Sequence, residues 1–195
     1  MIHSESKAEA IARLRAVIKE QPTDAPTICA RLGISQPGFS RLWKAAGADI
    51  IRFGAARATQ YGMTREIRDV GSVLPVFEVQ SDGSSLPFGE LRVLHNDWYV
   101  FTPASGGMPQ VMEGLPYWLQ DLRPQGFLGR LIPLINRDLH FPPNILAWSD
   151  DDTLRFLTRR GEDVPGNVIV GNESYRRFLS PHSPAAAVVV APDRP

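Results

Sequence analysis

The stretch from Thr23 to Gly47 constrains the fold more tightly than any other part of the chain. Thr23 or Asp24 can cap a helix that has Pro26 in its first turn, where a missing N–H is harmless. Ile28, Cys29 and Leu32 would face a core, and Gly33 permits the left-handed turn that ends this helix. Ser35 caps the next one, again with a proline, Pro37, in the first turn. Phe39, Leu42 and Trp43 form its inner stripe, and Gly47 ends it. Upstream, the pattern predicts a helix over Ser6–Glu20, with Ile11, Leu14 and Ile18 on one face and Arg13, Arg15 and Lys19 directed elsewhere. Downstream, Ile50–Phe53 reads as a strand, Gly54–Ala56 as a turn and Arg57–Tyr61 as a returning strand. Three helices followed by a two-stranded ribbon predict a winged helix-turn-helix over residues 1–65.

The pattern changes after a connector at 64–72. "VLPVFEV", "LPFGELRVL" and "DWYVFT" are strand-like runs separated by the turn-forming "QSDGSS" and "HND". Leu91 and Val93 alternate with Glu90 and Arg92, as in a half-buried antiparallel strand. A β-meander follows from this, with helical segments between Gly114 and Ile135, interrupted at 123–126. A further helix runs from a cap at Ser149 or Asp150 to about Arg160, and a short strand lies at 167–171. The expected class is α+β, with residues 66–180 as a second domain and 181–195 as a disordered tail or linker.

A net charge of zero hides an asymmetry: residues 1–65 carry +5 and residues 66–195 carry −5, and all three lysines (Lys7, Lys19, Lys44) lie in the first third. From Ile34 to Tyr61 the only acid is Asp49, against Arg41, Lys44, Arg52 and Arg57. A recognition helix needs a buried stripe to fix its angle and polar or basic side chains near its start to reach base edges. Gln36 can pair with adenine and Arg41 with guanine. Ser40 and Lys44 are better placed for phosphate, as are the unpaired N–H groups of the helix start behind Ser35. Arg52 and Arg57 flank a ribbon tip able to follow a backbone. Double-stranded DNA is therefore the expected partner, bound by a homodimer or larger assembly. The alternative is a winged helix used only for protein contacts.

The rest of the chain offers little chemistry. His3, His95, His140 and His182 lie far apart and no pair has ligand spacing. Cys29 sits on an apolar helix face as a packed thiol, and as the single cysteine it excludes an internal disulfide. "SDDD" at 149–152 is a negatively charged helix start favoured by the helix dipole. No phosphate-cradling loop is present and no lysine follows Lys44, which argues against phosphoryl transfer by this chain alone. No catalytic residue, metal or cofactor is expected. No run of about 18 apolar residues exists to span a membrane, and a reducing cytoplasm is the default location. Trp98, Trp118, Phe127 and Trp148 are numerous for a small domain, so each either fills its own core or is exposed for a partner.

Leu119, Asp121, Leu122, Pro124 and Gly126, followed by Leu157, Gly161, Asp163 and Gly166, form two blocks. In that order they resemble the N-terminal region of HipA-family toxins, serine/threonine kinases of bacterial toxin–antitoxin systems. A winged helix-turn-helix ahead of them is similar to the YjjJ-type subgroup, over about residues 25–180. The resemblance implies a HipA N-subdomain-like antiparallel meander or barrel with helices. It implies a DNA-binding, antitoxin-like regulator that docks on a separate HipA-like kinase chain. Its alternative is the N-terminal regulatory part of a HipA-family kinase toxin, cut short and not catalytic by itself. The family's ATP loop and catalytic aspartate would follow Pro195, so no family catalytic residue maps onto this sequence.

Overall fold

Capping chemistry sets the first three helices. In the computed structural model, which describes residues 6–180, α1 (Lys7–Glu20) starts where the Ser6 hydroxyl accepts from the Glu9 N–H. Asp24 rather than Thr23 caps α2 (Ala25–Leu32), accepting from the Thr27 N–H; the Thr27 hydroxyl first and this backbone bond second hold its carboxyl below the usual carboxylate range. Gly33 takes φ 67° and ends α2. Ser35 caps α3 (Gln36–Ala45) through the Gly38 N–H. Thr23 and Asp24 also form β1, a two-residue strand that sequence patterning is too short to reveal. It pairs antiparallel with β3 (Gln60–Met63), which pairs on its other side with β2 (Ile50–Phe53). The order is thus β1-β3-β2, one strand more than the expected ribbon. Arg57 lies in a 3-10 turn, Ala56–Ala58, and the return strand starts three residues later than expected. Leu14, Ile18, Ile28, Leu32, Phe39, Ile50 and Tyr61 make the core of this part.

The second sheet contains β4 (Val73–Val79), β5 (Ser85–Val93), β6 (Trp98–Pro103), β7 (Gln110–Glu113) and β8 (Val168–Val170), all antiparallel, in the order β7-β6-β5-β4-β8. The meander is present. The sheet is open, with β7 and β8 at its edges, so the barrel alternative does not hold. Helices α4 (Tyr117–Gln120), α5 (Gly126–Ile135), α6 (Asp150–Arg160) and α7 (Asn172–Leu179) complete an α+β chain with seven α-helices among the described residues. Leu74, Leu91, Val93 and Tyr99 of the sheet meet Leu119, Leu154 and Leu157 of the helices in one core. Ser149 caps α6 in a reciprocal capping box with Asp152. No helix of the described residues is long and apolar enough to cross a membrane. The expectation for 181–195 lies outside the described residues.

Residues 64–72 are not a loose connector. Thr64 bridges to Leu94, Ile67 bridges to Gly71, and Ile67 is buried in the second core. The polar letters of "TREIRDVGS" hide this, because one isoleucine and a tight turn do the work. Two-residue periodicity along β2 then explains how the sheets meet. Ile50 and Arg52 share one face, on the side of α3, while Ile51 and Phe53 face the other way. Phe53 packs with Leu94 and Val100, flanked by Ile51, Trp98 and Val111. A Cβ on Gly62 would lie 2.7 Å from Leu94 Cδ1 and 3.2 Å from Phe53 Cε1, so a larger residue there would push the Leu94 side chain aside. Arg65 closes the seam: its two terminal nitrogens each donate to Asp151 at 2.7 Å and its Nε donates to the Leu94 carbonyl at 3.1 Å. The Asp151 contact pushes its pKa above the ordinary arginine value. Leu94→Ala should cost about 2–5 kcal/mol. In urea, the α1–α3 region and the five-stranded sheet should unfold in one transition in both proteins, and separate transitions would show that the seam does not couple them.

Candidate nucleic-acid interface

Tyr61 of β3 anchors α3 on the small sheet. Its ring meets Phe39 edge-on at 4.9 Å and Trp43 at 5.4 Å. Phe39 is buried and Leu42 and Trp43 are partly buried, so the predicted inner stripe is present. The opposite side of α3 is solvent-facing: Gln36, Ser40, Arg41 and Lys44 are exposed, as is the capping Ser35. Arg52 on β2 and Arg57 in the 3-10 turn are exposed as well. All seven predicted residues therefore lie on the surface, five at α3 and two on the ribbon.

The charges around this surface are sorted. Arg41, Lys44, Arg52 and Arg57 make no ion pair with any described residue. Asp49, the one acid of the stretch, is held by both terminal nitrogens of Arg15, at 2.8 and 2.7 Å. Arg15 also donates to the Ala46 carbonyl at 2.6 Å, at the C-terminal end of α3. Arg15 therefore turns inward, against the sequence expectation, and ties α1 to the end of α3. Sequence spacing on α1 could not show this, because its partner lies 34 residues away; Asp49's isolation among bases was the available signal. Arg31 pairs with Glu20 at 2.9 Å, so the unpaired cations of this part include the four on α3 and the ribbon.

The remaining candidates resolve into structure. Asp150 pairs with Arg123, Asp151 with Arg65 and Asp152 with Ser149, so the three aspartates of α6 each hold a different neighbour. Among the described residues no group of His, Cys, Asp and Glu is arranged to hold a metal. Cys29 packs partly buried against the first core. His95 is held below its ordinary pKa, first by burial and then by Lys19 and Arg65. His140 is exposed, and His3 and His182 lie outside the described residues. Trp148 is buried and Trp98 and Trp118 are partly buried against the cores, whereas Phe127 is exposed.

Residues 70–179 match the family described as "YjjJ-like toxin, middle domain", and the chain belongs to this family. Among curated proteins it is 35% identical over 176 residues to "Toxin YjjJ" of Escherichia coli (strain K12), a match covering 90% of this chain and 39% of that protein. The chain thus spans about two-fifths of the length of this relative. No solved structure is significantly similar to it. Several residues that carried the resemblance have structural roles. Leu119, Leu122 and Leu157 are buried in the second core. Gly161 N–H donates to the buried Ser174 hydroxyl, which in turn donates to the Leu157 carbonyl.

The Arg15 clamp holds the end of α3 and neutralises the one acid between Ile34 and Tyr61. Arg15→Ala should cost about 1–2 kcal/mol, the range for a partly exposed charged hydrogen-bond pair, and thermal unfolding measures this. Asp49→Asn in the same background should add less than Asp49→Asn alone; equal, additive costs would show that the pair is not coupled.

Proposed function

We propose that this chain is a DNA-binding regulator of antitoxin type, built on a winged helix-turn-helix, that docks on a separate HipA-like kinase chain and does not itself catalyse. The observation that carries the reading is the set of four unpaired cations on adjoining elements, Arg41, Lys44, Arg52 and Arg57, with Asp49, the one acid between Ile34 and Tyr61, neutralised by Arg15. A polyanion gains most from charges that are not already compensated. A surface used only for protein docking has no need of this acid depletion. Gln36 and Arg41 sit where base edges come within reach of α3, and Ser35, Ser40, Lys44, Arg52 and Arg57 where backbone phosphates pass. Membership of the YjjJ-like toxin family supports the toxin–antitoxin setting.

A second reading is favoured by one observation: the match covers only 39% of the toxin of Escherichia coli. On that reading the same residues form the N-terminal regulatory part of a larger HipA-family kinase toxin. The adjoining reading frame discriminates the two. A kinase core fused in frame supports the second reading, and a separate kinase gene whose product co-purifies with this chain supports the first.

Fluorescence anisotropy on a duplex selected from a random pool tests the DNA-binding reading. Arg41→Ala should cost about 1–3 kcal/mol and relax one base preference. Unchanged affinity and specificity would remove Arg41 from base contact. Arg57→Ala should weaken binding to all sequences alike and flatten the log–log salt slope by about 1. An unaltered slope would place the ribbon outside the phosphate interface, and no duplex binding at low salt would overturn the whole reading.

A further inference from the structure

Helix α5 buries two of its small residues and exposes most of its large apolar ones, with Ile132 resting partly on the second core. Gly129 and Pro133 are its two buried positions. A Cβ on Gly129 would lie 2.8 Å from the Pro124 backbone and 3.0 Å from Ile145 Cδ1, so the helix is pressed against the protein on that side. The other side carries Phe127 at 76% exposure, Leu128 at 76%, Leu131 at 37%, Leu134 at 56% and Ile135 at 74%. At about 100° per residue these five fall in an arc of about 120° centred on Leu131, with Gly129 and Pro133 opposite. Beside them runs a groove of about 770 Å³, lined by Leu128, Leu131 and Ile135 of α5 and by Val164 and Pro165 of the loop after α6.

The spacing of this stripe is symmetric. Phe127 and Ile135 lie four residues either side of Leu131, and Leu128 and Leu134 lie three. An interface with two-fold symmetry requires that residue i meet j and j meet i. Antiparallel packing of two α5 helices about an axis through Leu131 satisfies this: Phe127 meets the partner's Ile135, Leu128 meets the partner's Leu134, and Leu131 meets its own copy. The same register brings the protruding Phe127 ring to the Ile135 end of the partner's groove. Size is adequate too. The five side chains expose on the order of 500 Å² of apolar surface, near the top of what a monomer leaves in one patch. Two copies together bury about 1,000 Å², the threshold for a specific interface.

We propose that the exposed face of α5 is a homodimer interface, with Leu131 on the two-fold axis and each Phe127 seated in the other copy's groove. The surface is distinct from α3 and the ribbon, and dimerisation is read without DNA, so its failure and that of the DNA-binding reading are separable.

Sedimentation velocity of the full 195-residue chain from roughly 1 to 100 µM tests it. The chain should sediment as a particle of twice its 21.6 kDa mass. Leu131→Arg sets two like charges face to face on the axis and should weaken the dimer at least about 100-fold; Phe127→Ala should weaken it about tenfold or more. Both should keep the wild-type far-UV circular dichroism, since neither side chain belongs to a core. A disulfide trap checks the register: axes about 8–10 Å apart bring facing Cα atoms to about 3.4–5.4 Å, which overlaps disulfide reach. In a Cys29→Ser background, Leu131→Cys should therefore cross-link under mild oxidation, and Leu86→Cys, exposed on β5, should not. A monomer throughout this range overturns the proposal, as does a dimer indifferent to Leu131→Arg or one that fails to cross-link at residue 131. A monomer whose Leu131→Arg form loses only the binding of a kinase chain also overturns it and assigns the face to that partner.

Discussion

The contact of Phe53 with Leu94 and Val100 is the joint on which the molecule is built. It places the far face of the ribbon on the second sheet, so the small sheet is apolar on both sides: α3 and Tyr61 on one, Leu94 on the other. Gly62 leaves Leu94 room for this approach, and the Arg65 bond to Asp151 carries the link on to the start of α6. The outcome is a small sheet packed on both faces, with Trp43 and Tyr61 on the α3 side and Phe53 with Leu94 and Val100 on the other. Parts joined by a polar connector move independently by default; here a buried seam and a two-pronged ion pair remove that freedom. The direction in which α3 and the ribbon point is thereby set by the second sheet.

Electrostatics follows the same logic of placement. Exposed ion pairs contribute about 0–1 kcal/mol each, so the many arginine–carboxylate pairs say little about stability. They say more about where charge is left over. Asp49, Asp150 and Asp151 each neutralise an arginine that would otherwise add to the field, and Arg15, Arg123 and Arg65 answer them. The chain has no net charge, yet the cations of α3 and the ribbon stay uncompensated. A sum over the sequence hides this and a map of partners reveals it.

Much of the fold was legible because its signals are local. Ser35, Pro37 and Gly33 announce α3 and its approach within a few residues, and Ser149 announces α6. The missing elements are those whose cause is distant. Residues Thr23 and Asp24 form a strand only because Gln60 and Tyr61 lie beside them. Strand β7 is four residues without clear alternation, stabilised by β6. Helix α7 is polar by letter, and its place depends on Ser174 bonding to the end of α6 and on Tyr175 stacked on Phe77 at 3.6 Å. The candidate surface was legible as residue types, since acid depletion is a property of sequence. The Arg15 clamp that completes it was not, because helical periodicity describes faces and not the reach of a long side chain.

The inverted character of α5 shows the same limit from the other side. "GFLGRLIPLI" left open whether Phe127 fills a core or faces a partner, because its composition is apolar and composition does not say which way a helix is turned. Close packing does: Gly129 against Pro124 leaves no room for a larger residue, so every large side chain at the stripe positions must point away. A helix turned this way loses the stabilisation that its leucines and phenylalanine would bring if they were covered, about 1.5–3 kcal/mol for each large side chain fully buried. Such a face persists in a folded protein when something recovers that energy. A two-fold axis through Leu131 would recover it on both copies at once, and through the rigid seam at Phe53 it would also fix two copies of α3 in one symmetric relation. Palindromy in a bound duplex would then be a consequence of how α5 packs and not of α3 itself.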